Sequence, residues 1–103
     1  MKTVVLPSAR ADILRQIGYF IDIGQDHVAD RFLAAARMAI EHVSHTPQAG
    51  APRSVKNRRL AGLRTWPVDG FDDLKIYYLV SDDELTIVRI LHGRRDIERI
   101  LER

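Results

Sequence analysis

His92, Arg94 and Arg95 stand together at the end of the most strand-like run in the chain, and their side-chain types are the ones that handle anions and protons. A guanidinium holds developing or fixed negative charge through several donors, and an imidazole exchanges a proton near neutral pH. Arg64, Lys75 and Arg89 add cations on neighbouring segments with strand character. A second basic group, Arg53, Lys56, Arg58, Arg59 and Arg64, runs through residues 53–64 without an acidic residue, which gives a local positive patch suited to an acidic partner. His42 and His45 stand three apart, but no third ligand accompanies them, and the expectation is no metal site and no cofactor.

These residues need elements to position them. From Thr86 to Leu91 the β-branched residues Thr86, Ile87, Val88 and Ile90 specify a strand, with Arg89 alternating onto its solvent side. Gly93 allows a sharp turn after His92, and Asp96 can cap a short terminal helix whose apolar face is Ile97, Ile100 and Leu101. Before the focal strand, residues 74–80 (LKIYYLV) form a second strand joined to it by Ser81, Asp82 and Asp83. Residues 60–68 form another, limited by Pro67, with a turn over residues 69–73. At the start, residues 2–6 make a short strand. Ser8 is placed to cap a first helix with the apolar stripe Ile13, Leu14, Ile17, Phe20 and Ile21, which Gly24 ends. Asp26 opens a second helix carrying Ala29, Phe32, Leu33, Ala36, Ile40 and Val43, and Pro47 forbids its continuation. Residues 47–59 read as a loop.

The order is therefore β-α-α-β-β-β-α. It predicts an α+β fold with a helical hairpin packed on a largely antiparallel four-stranded sheet. With 103 residues, 46% of them hydrophobic, the chain is expected to be a single domain over residues 1–103. It has no cysteine, which excludes disulfides and thiolate metal sites and suits a reducing compartment. No apolar run reaches the roughly 20 residues of a membrane helix, so the expectation is a cytoplasmic protein without a membrane partner. A net charge of +2 is too small to argue nucleic-acid binding from the total.

The segment GLRTWPVDGF leading into LKIYYLV, and above all VRILHGRRDIERIL, resemble toxins of the RelE/ParE superfamily on its ParE side. The resemblance spans nearly the whole chain. It implies a toxin of a type II toxin-antitoxin pair that inhibits DNA gyrase by binding it and is neutralised by a ParD-like antitoxin. The alternatives are the ribosome-dependent mRNA endoribonuclease activity of the RelE side and a degenerate toxin that retains only antitoxin binding. Metal-free RNA cleavage needs an acid, a base and a cation cradle. The terminal helix DIERILER offers no tyrosine, and Tyr77 and Tyr78 lie mid-strand, leaving His92 as the one proton carrier near the Arg pair. Inhibition by binding is accordingly the preferred expectation. His92, Arg94, Arg95, Arg64 and Lys75 are the expected target-facing residues. Arg53, Arg58 and Arg59 are the expected antitoxin contacts, joined by Tyr19, Ile23 and Met38 as exposed apolar positions on the hairpin.

Overall fold

A computed structural model of the chain describes residues 1–101, the side chains of Asp72, Arg94, Arg95 and Glu98 excepted. The elements run β1 (Lys2–Val5), α1 (Pro7–Asp22), α2 (Asp26–His45), β2 (Ala51–Pro52), a single 3-10 turn (Arg58–Leu60), β3 (Arg64–Val68), β4 (Phe71–Val80), β5 (Glu84–His92) and α3 (Gly93–Ile100). The expected order is recovered, with one strand more. The sheet has five strands in the order β1-β5-β4-β3-β2. β1 pairs with β5 in parallel and the other pairings are antiparallel, so the sheet is mixed.

The extra strand is two residues long, Ala51 opposite Thr65 and Pro52 opposite Arg64, inside the segment expected to be a loop. No periodicity can develop over two residues, and Ala-Pro has no strand signature. A second departure concerns the β3–β4 turn. Asp69 and Gly70 alone close it, with Gly70 at φ 82°, so β4 starts at Phe71 rather than Leu74.

The helices differ from expectation at their caps and on their faces. Ser8 does not cap α1: the helix begins at Pro7, whose missing N–H is harmless in a first turn, and Leu6 takes the cap position. Gly24 does end the helix, at φ 74°, with its N–H on the Ile21 carbonyl and that of Gln25 on the Phe20 carbonyl. Likewise α3 starts at Gly93 with His92 as cap residue. Asp96 is inside the first turn and accepts a hydrogen bond from the His92 N–H at 3.2 Å. Leu14 and Ile21 are 62% and 51% exposed, not core. Each residue turns the helix by about 100°, so while Ala9, Asp12, Ile13, Ile17 and Phe20 fill the inward arc, Leu14 and Ile21, one step past Ile13 and Phe20, lie outside it.

Both faces of the sheet are covered. The helical hairpin packs on one face over Phe32, Val43, Val68, Ile76, Tyr78, Leu85 and Ile87. Leu63, Tyr77, Val88, Leu91, Ile97 and Leu101 form a second layer between the other face and α3. A bulge makes the two layers compatible: Tyr77 opposes Arg89 while Tyr78 opposes Ile87, so Val88 is an additional residue in β5. It lets Ile87 and Ile90 face the hairpin while Val88 and Leu91 face α3.

Tyr77 and Tyr78 thus point to opposite layers, and burial raises the pKa of both phenols above the ordinary 10.0. The folded chain then keeps protons that the unfolded chain releases. Stability is expected to be unaffected by these groups below about pH 10 and to fall as pH climbs from there through the folded values. Urea unfolding between pH 8 and 11 checks this, with Tyr77→Phe expected to flatten the alkaline decline.

Candidate functional site

The focal strand is fastened to α1 by side chains. β1 ends at Val5, and the Leu6 N–H makes its last ladder bond, to the Ile87 carbonyl at 3.0 Å. Past that point the edge of β5 would be bare, and α1 supplies the missing partners. Ser8 Oγ donates to the Val88 carbonyl at 3.0 Å, and Asp12 Oδ2 accepts from the Ile90 N–H at 3.0 Å. Asp12, 5% exposed, also accepts two bonds from Arg89, from Nε and Nη2, each 2.8 Å. Arg89 therefore does not cover a solvent face as the alternation suggested. Its side chain reaches α1 instead, where the Asp12 carboxylate raises its pKa further. Asp12 was not singled out in the sequence, because an Asp between apolar residues of an amphipathic helix reads as a solvated position. The signal available was its place on the inward arc, between Ala9 and Ile13.

His92 emerges from this braced strand at the rim of an open cleft of about 760 Å³. Tyr19, Phe20 and Phe71 wall the cleft with aromatic surface, Phe20 and Phe71 having ring centroids 5.8 Å apart. Its rim is polar, with Asp73, His92, Asp96 and Arg99. The exposed His92 Nε2 lies 3.8 Å from Asp73 Oδ2, and Arg99 Nη2 is 3.1 Å from Asp96 Oδ1. A mostly polar cleft with both charge signs beside aromatic surface is suited to holding a protein side chain by contact.

The other expected target-facing residues are distributed. Lys75 is half-buried on β4, opposite Leu91 and next to the Leu74–His92 pair. Arg64 is opposite Tyr78, four residues further along β4, about 13 Å from the level of His92 at strand spacing. Its guanidinium is occupied by the Gly50 carbonyl (2.7 Å), Gln48 Oε1 (2.6 Å) and the Gln48 carbonyl (3.3 Å). The Arg94 and Arg95 side chains lie outside the described residues; their backbone forms the first turn of α3. Lys75 and His92 are thus neighbours, and Arg64 is apart from them.

The expected antitoxin contacts form three regions. Arg58 and Arg59 are exposed in the 3-10 turn, which the Asn57 side chain caps by accepting from the Arg59 N–H at 3.0 Å. Arg53 lies beside them, around a pocket of about 370 Å³ that also includes Val55, Leu60 and Arg64. Tyr19 and Ile23 are exposed at the end of α1 near the cleft, while Met38, 70% exposed, faces a separate hollow by Trp66 and Pro67. His42 is stacked on Trp66 with centroids 4.5 Å apart, and His45 Nδ1 faces the Glu41 carbonyl at 2.9 Å.

Among the described residues, no helix is long and apolar enough to cross a membrane. No curated protein matches the chain. A solved structure described as the chromosomal ParDE TA system from P. aeruginosa is similar over 91% of this chain and 97% of that one, with 22% identity and a TM-score of 0.64, and so shares the fold. The family model for the ParE toxin of the type II toxin-antitoxin system parDE matches residues 4–97. A match over that length, on a five-stranded sheet carrying two helices, establishes that this chain belongs to the ParE toxin family of type II toxin-antitoxin systems.

Proposed function

We propose that this ParE-type toxin inhibits DNA gyrase by binding it, without chemistry of its own, and that a ParD-like antitoxin neutralises it. The observation that supports binding over RNA cleavage is the employment of the groups a nuclease would need. Arg89 is bound to Asp12, Arg64 holds residues 48–50, and both tyrosines of β4 are buried. His92 remains, exposed beside Asp73, as one proton carrier where cleavage needs two. Of the residues assigned to the target, His92 lines the cleft and Lys75 is its neighbour on β4; Arg94 and Arg95 are assigned with them from the sequence, and Arg64 stands apart. The exposed Arg58 and Arg59, with Arg53, offer an acidic antitoxin segment its counter-charge.

Purified toxin added to a gyrase supercoiling assay, alongside translation-dependent cleavage of a reporter mRNA, separates the readings. Lost supercoiling with intact RNA is the expected result. Cut RNA with normal supercoiling would make the chain an endoribonuclease, and silence in both assays from folded protein would make it a toxin that retains only antitoxin binding. Replacing both Arg94 and Arg95 by alanine is expected to relieve growth inhibition at least tenfold in plating efficiency while antitoxin binding persists; undiminished toxicity would remove these residues from the target surface.

A further inference from the structure

The cleft beside His92 carries a charge that the fold leaves unbalanced. Four ionisable side chains line it: Asp73, His92, Asp96 and Arg99. Asp96 is occupied on both oxygens, with Arg99 Nη2 on its Oδ1 at 3.1 Å and the His92 N–H on its Oδ2 at 3.2 Å. Asp73 has, among the described residues, only the His92 imidazole at 3.8 Å, which balances it only when protonated. With a neutral imidazole the cleft holds two carboxylates against one guanidinium, in a chain whose formal net charge is +2.

The walls suit the cation that this charge calls for. The ring centroids of Tyr19 and Phe20 are 5.6 Å apart, and those of Phe20 and Phe71 are 5.8 Å apart. Buried Phe32 fixes two of the three rings, with its centroid 6.0 Å from Phe20 and 5.5 Å from Phe71. They are therefore set before a ligand arrives. Tyr19 is 56% exposed and still has ring surface to cover.

Three kinds of incoming side chain can be compared. A carboxylate would meet the like charge of Asp73 and the negative faces of the rings. An aliphatic chain would use the rings and leave Asp73 unused. A cation uses both, because ring faces attract positive charge and an exposed carboxylate, weak alone, adds to them. Between the two cations, an ammonium is a compact, strongly hydrated point charge, whereas a guanidinium stacks its flat face on a ring while its N–H fork reaches a carboxylate. We propose that the cleft receives an arginine side chain of the target protein, its guanidinium stacked on the aromatic wall and paired with Asp73. The cleft is continuous with His92, so giving the arginine to the target rests on the reading of the chain as a gyrase inhibitor; the chemistry of the group received is what is added.

Two measurements test it. In amide NMR spectra of the purified toxin, titration with Nα-acetyl-arginine amide is expected to shift Tyr19, Phe71 and His92 with a millimolar dissociation constant, the strength open to so small a ligand. The glutamate analogue should leave these signals unmoved, and the lysine analogue should bind about threefold more weakly. Asp73→Asn should weaken the arginine probe about fivefold, and Tyr19→Leu, which removes the ring and keeps apolar bulk, about threefold. In the supercoiling assay, the toxin concentration for half inhibition should rise about tenfold for Asp73→Asn. Asp82→Asn, the same charge change in the exposed β4–β5 turn, should leave it unchanged, and affinity for the antitoxin encoded beside the toxin should hold in both variants. Equal binding of all three probes, or binding of none, would overturn the proposal. So would an Asp73→Asn toxin that inhibits gyrase as the wild type does, and if that variant lost antitoxin affinity instead, the arginine would be the antitoxin's. A wild-type toxin that takes up the arginine probe through Asp73 yet leaves gyrase untouched would overturn the gyrase reading alone and uphold the chemistry of the cleft.

Discussion

Asp12→Ala is expected to destabilise the toxin by about 3–5 kcal/mol, the range for removing one partner of a buried ion pair. The carboxylate accepts from Arg89 Nε and Nη2, from the Ile90 N–H and from Arg15 Nη1. Of these, the exposed Arg15 contributes little, because its side chain is 71% accessible and water replaces the bond. Arg89 is different. Its side chain is 19% exposed, so without Asp12 a permanent, mostly buried cation loses its paired carboxylate and a strand N–H loses its acceptor. At about 4–8 °C per kcal/mol for a domain near this size, the melting temperature should fall by more than ten degrees. Asp12→Asn keeps one carbonyl acceptor and should cost less. The pair Asp12→Leu with Arg89→Met, which removes both charges, should be less destabilised than Asp12→Ala alone. Asp22→Ala, at an exposed position of the same helix, serves as control and should stay within about 0.5 kcal/mol of wild type. Thermal and urea unfolding decide it: an Asp12→Ala toxin within about 1 kcal/mol of wild type would mean that the clamp does not hold α1 to β5.

That clamp also marks the limit of what the sequence discloses. The β-branched run of residues 86–90 and the periodic stripes of the two helices identify elements because each repeats a local preference over several residues. The parallel pairing of β1, in contrast, joins segments some eighty residues apart and leaves no local trace. The bulge at Val88 is equally silent, since a run of apolar residues looks the same with or without an extra member. Nor does alternation along the strand disclose that Arg89 ends on a carboxylate of α1. The same reasoning applies to α1. Ile13, Ile17 and Phe20 are correctly inward, but the helical period alone cannot say how wide an arc the sheet will cover, and Leu14 and Ile21 fell just outside it.

The candidate site divides along the same line. His92 at a strand end, the turn at Gly93 and the basic cluster of residues 53–64 were legible, because glycine and clustered charge are local signals. The aromatic cleft was not. Tyr19, Phe20 and Phe71 come from α1 and from the start of β4, and their meeting depends on where the hairpin rests on the sheet. Arg64 is the converse case: a cation in a basic run suggests an outward role, and the sequence gives no sign that its donors are engaged by residues 48–50.

That use of Arg64 belongs to a device whose disruption is the second large effect expected. Residues 47–50 have no regular structure, and they are held by two β-strand side chains. The buried Tyr78 hydroxyl donates to the Pro47 carbonyl at 2.8 Å and accepts from the Gly50 N–H at 2.9 Å, while Arg64 takes the Gly50 carbonyl. Tyr78→Phe keeps the ring and strands both backbone groups, at a cost of about 1–3 kcal/mol. Gly50→Ala attacks the same joint sterically. A Cβ there would overlap the hydroxyl and come within 2.8 Å of ring atoms Cε1 and Cζ, and the ring is wedged in the core under α2, so the loop must give way. Its cost should also be about 1–3 kcal/mol. Because both changes act on one contact, they should not add. Removing the hydroxyl makes room for the methyl, so Gly50→Ala in the Tyr78→Phe background should cost less than in the wild type. Additive losses in urea unfolding would instead mean that the two residues act separately. Release of this loop also frees β2, whose two residues hold the approach to Arg58 and Arg59, so cleavage within residues 46–57 by a low concentration of protease should accelerate in each single variant. If the basic turn receives an acidic antitoxin segment, its preorganisation depends on Tyr78, a residue about twenty positions away in sequence that contacts neither arginine through any bond described above; antitoxin affinity should then fall in Tyr78→Phe even under conditions where the variant is fully folded.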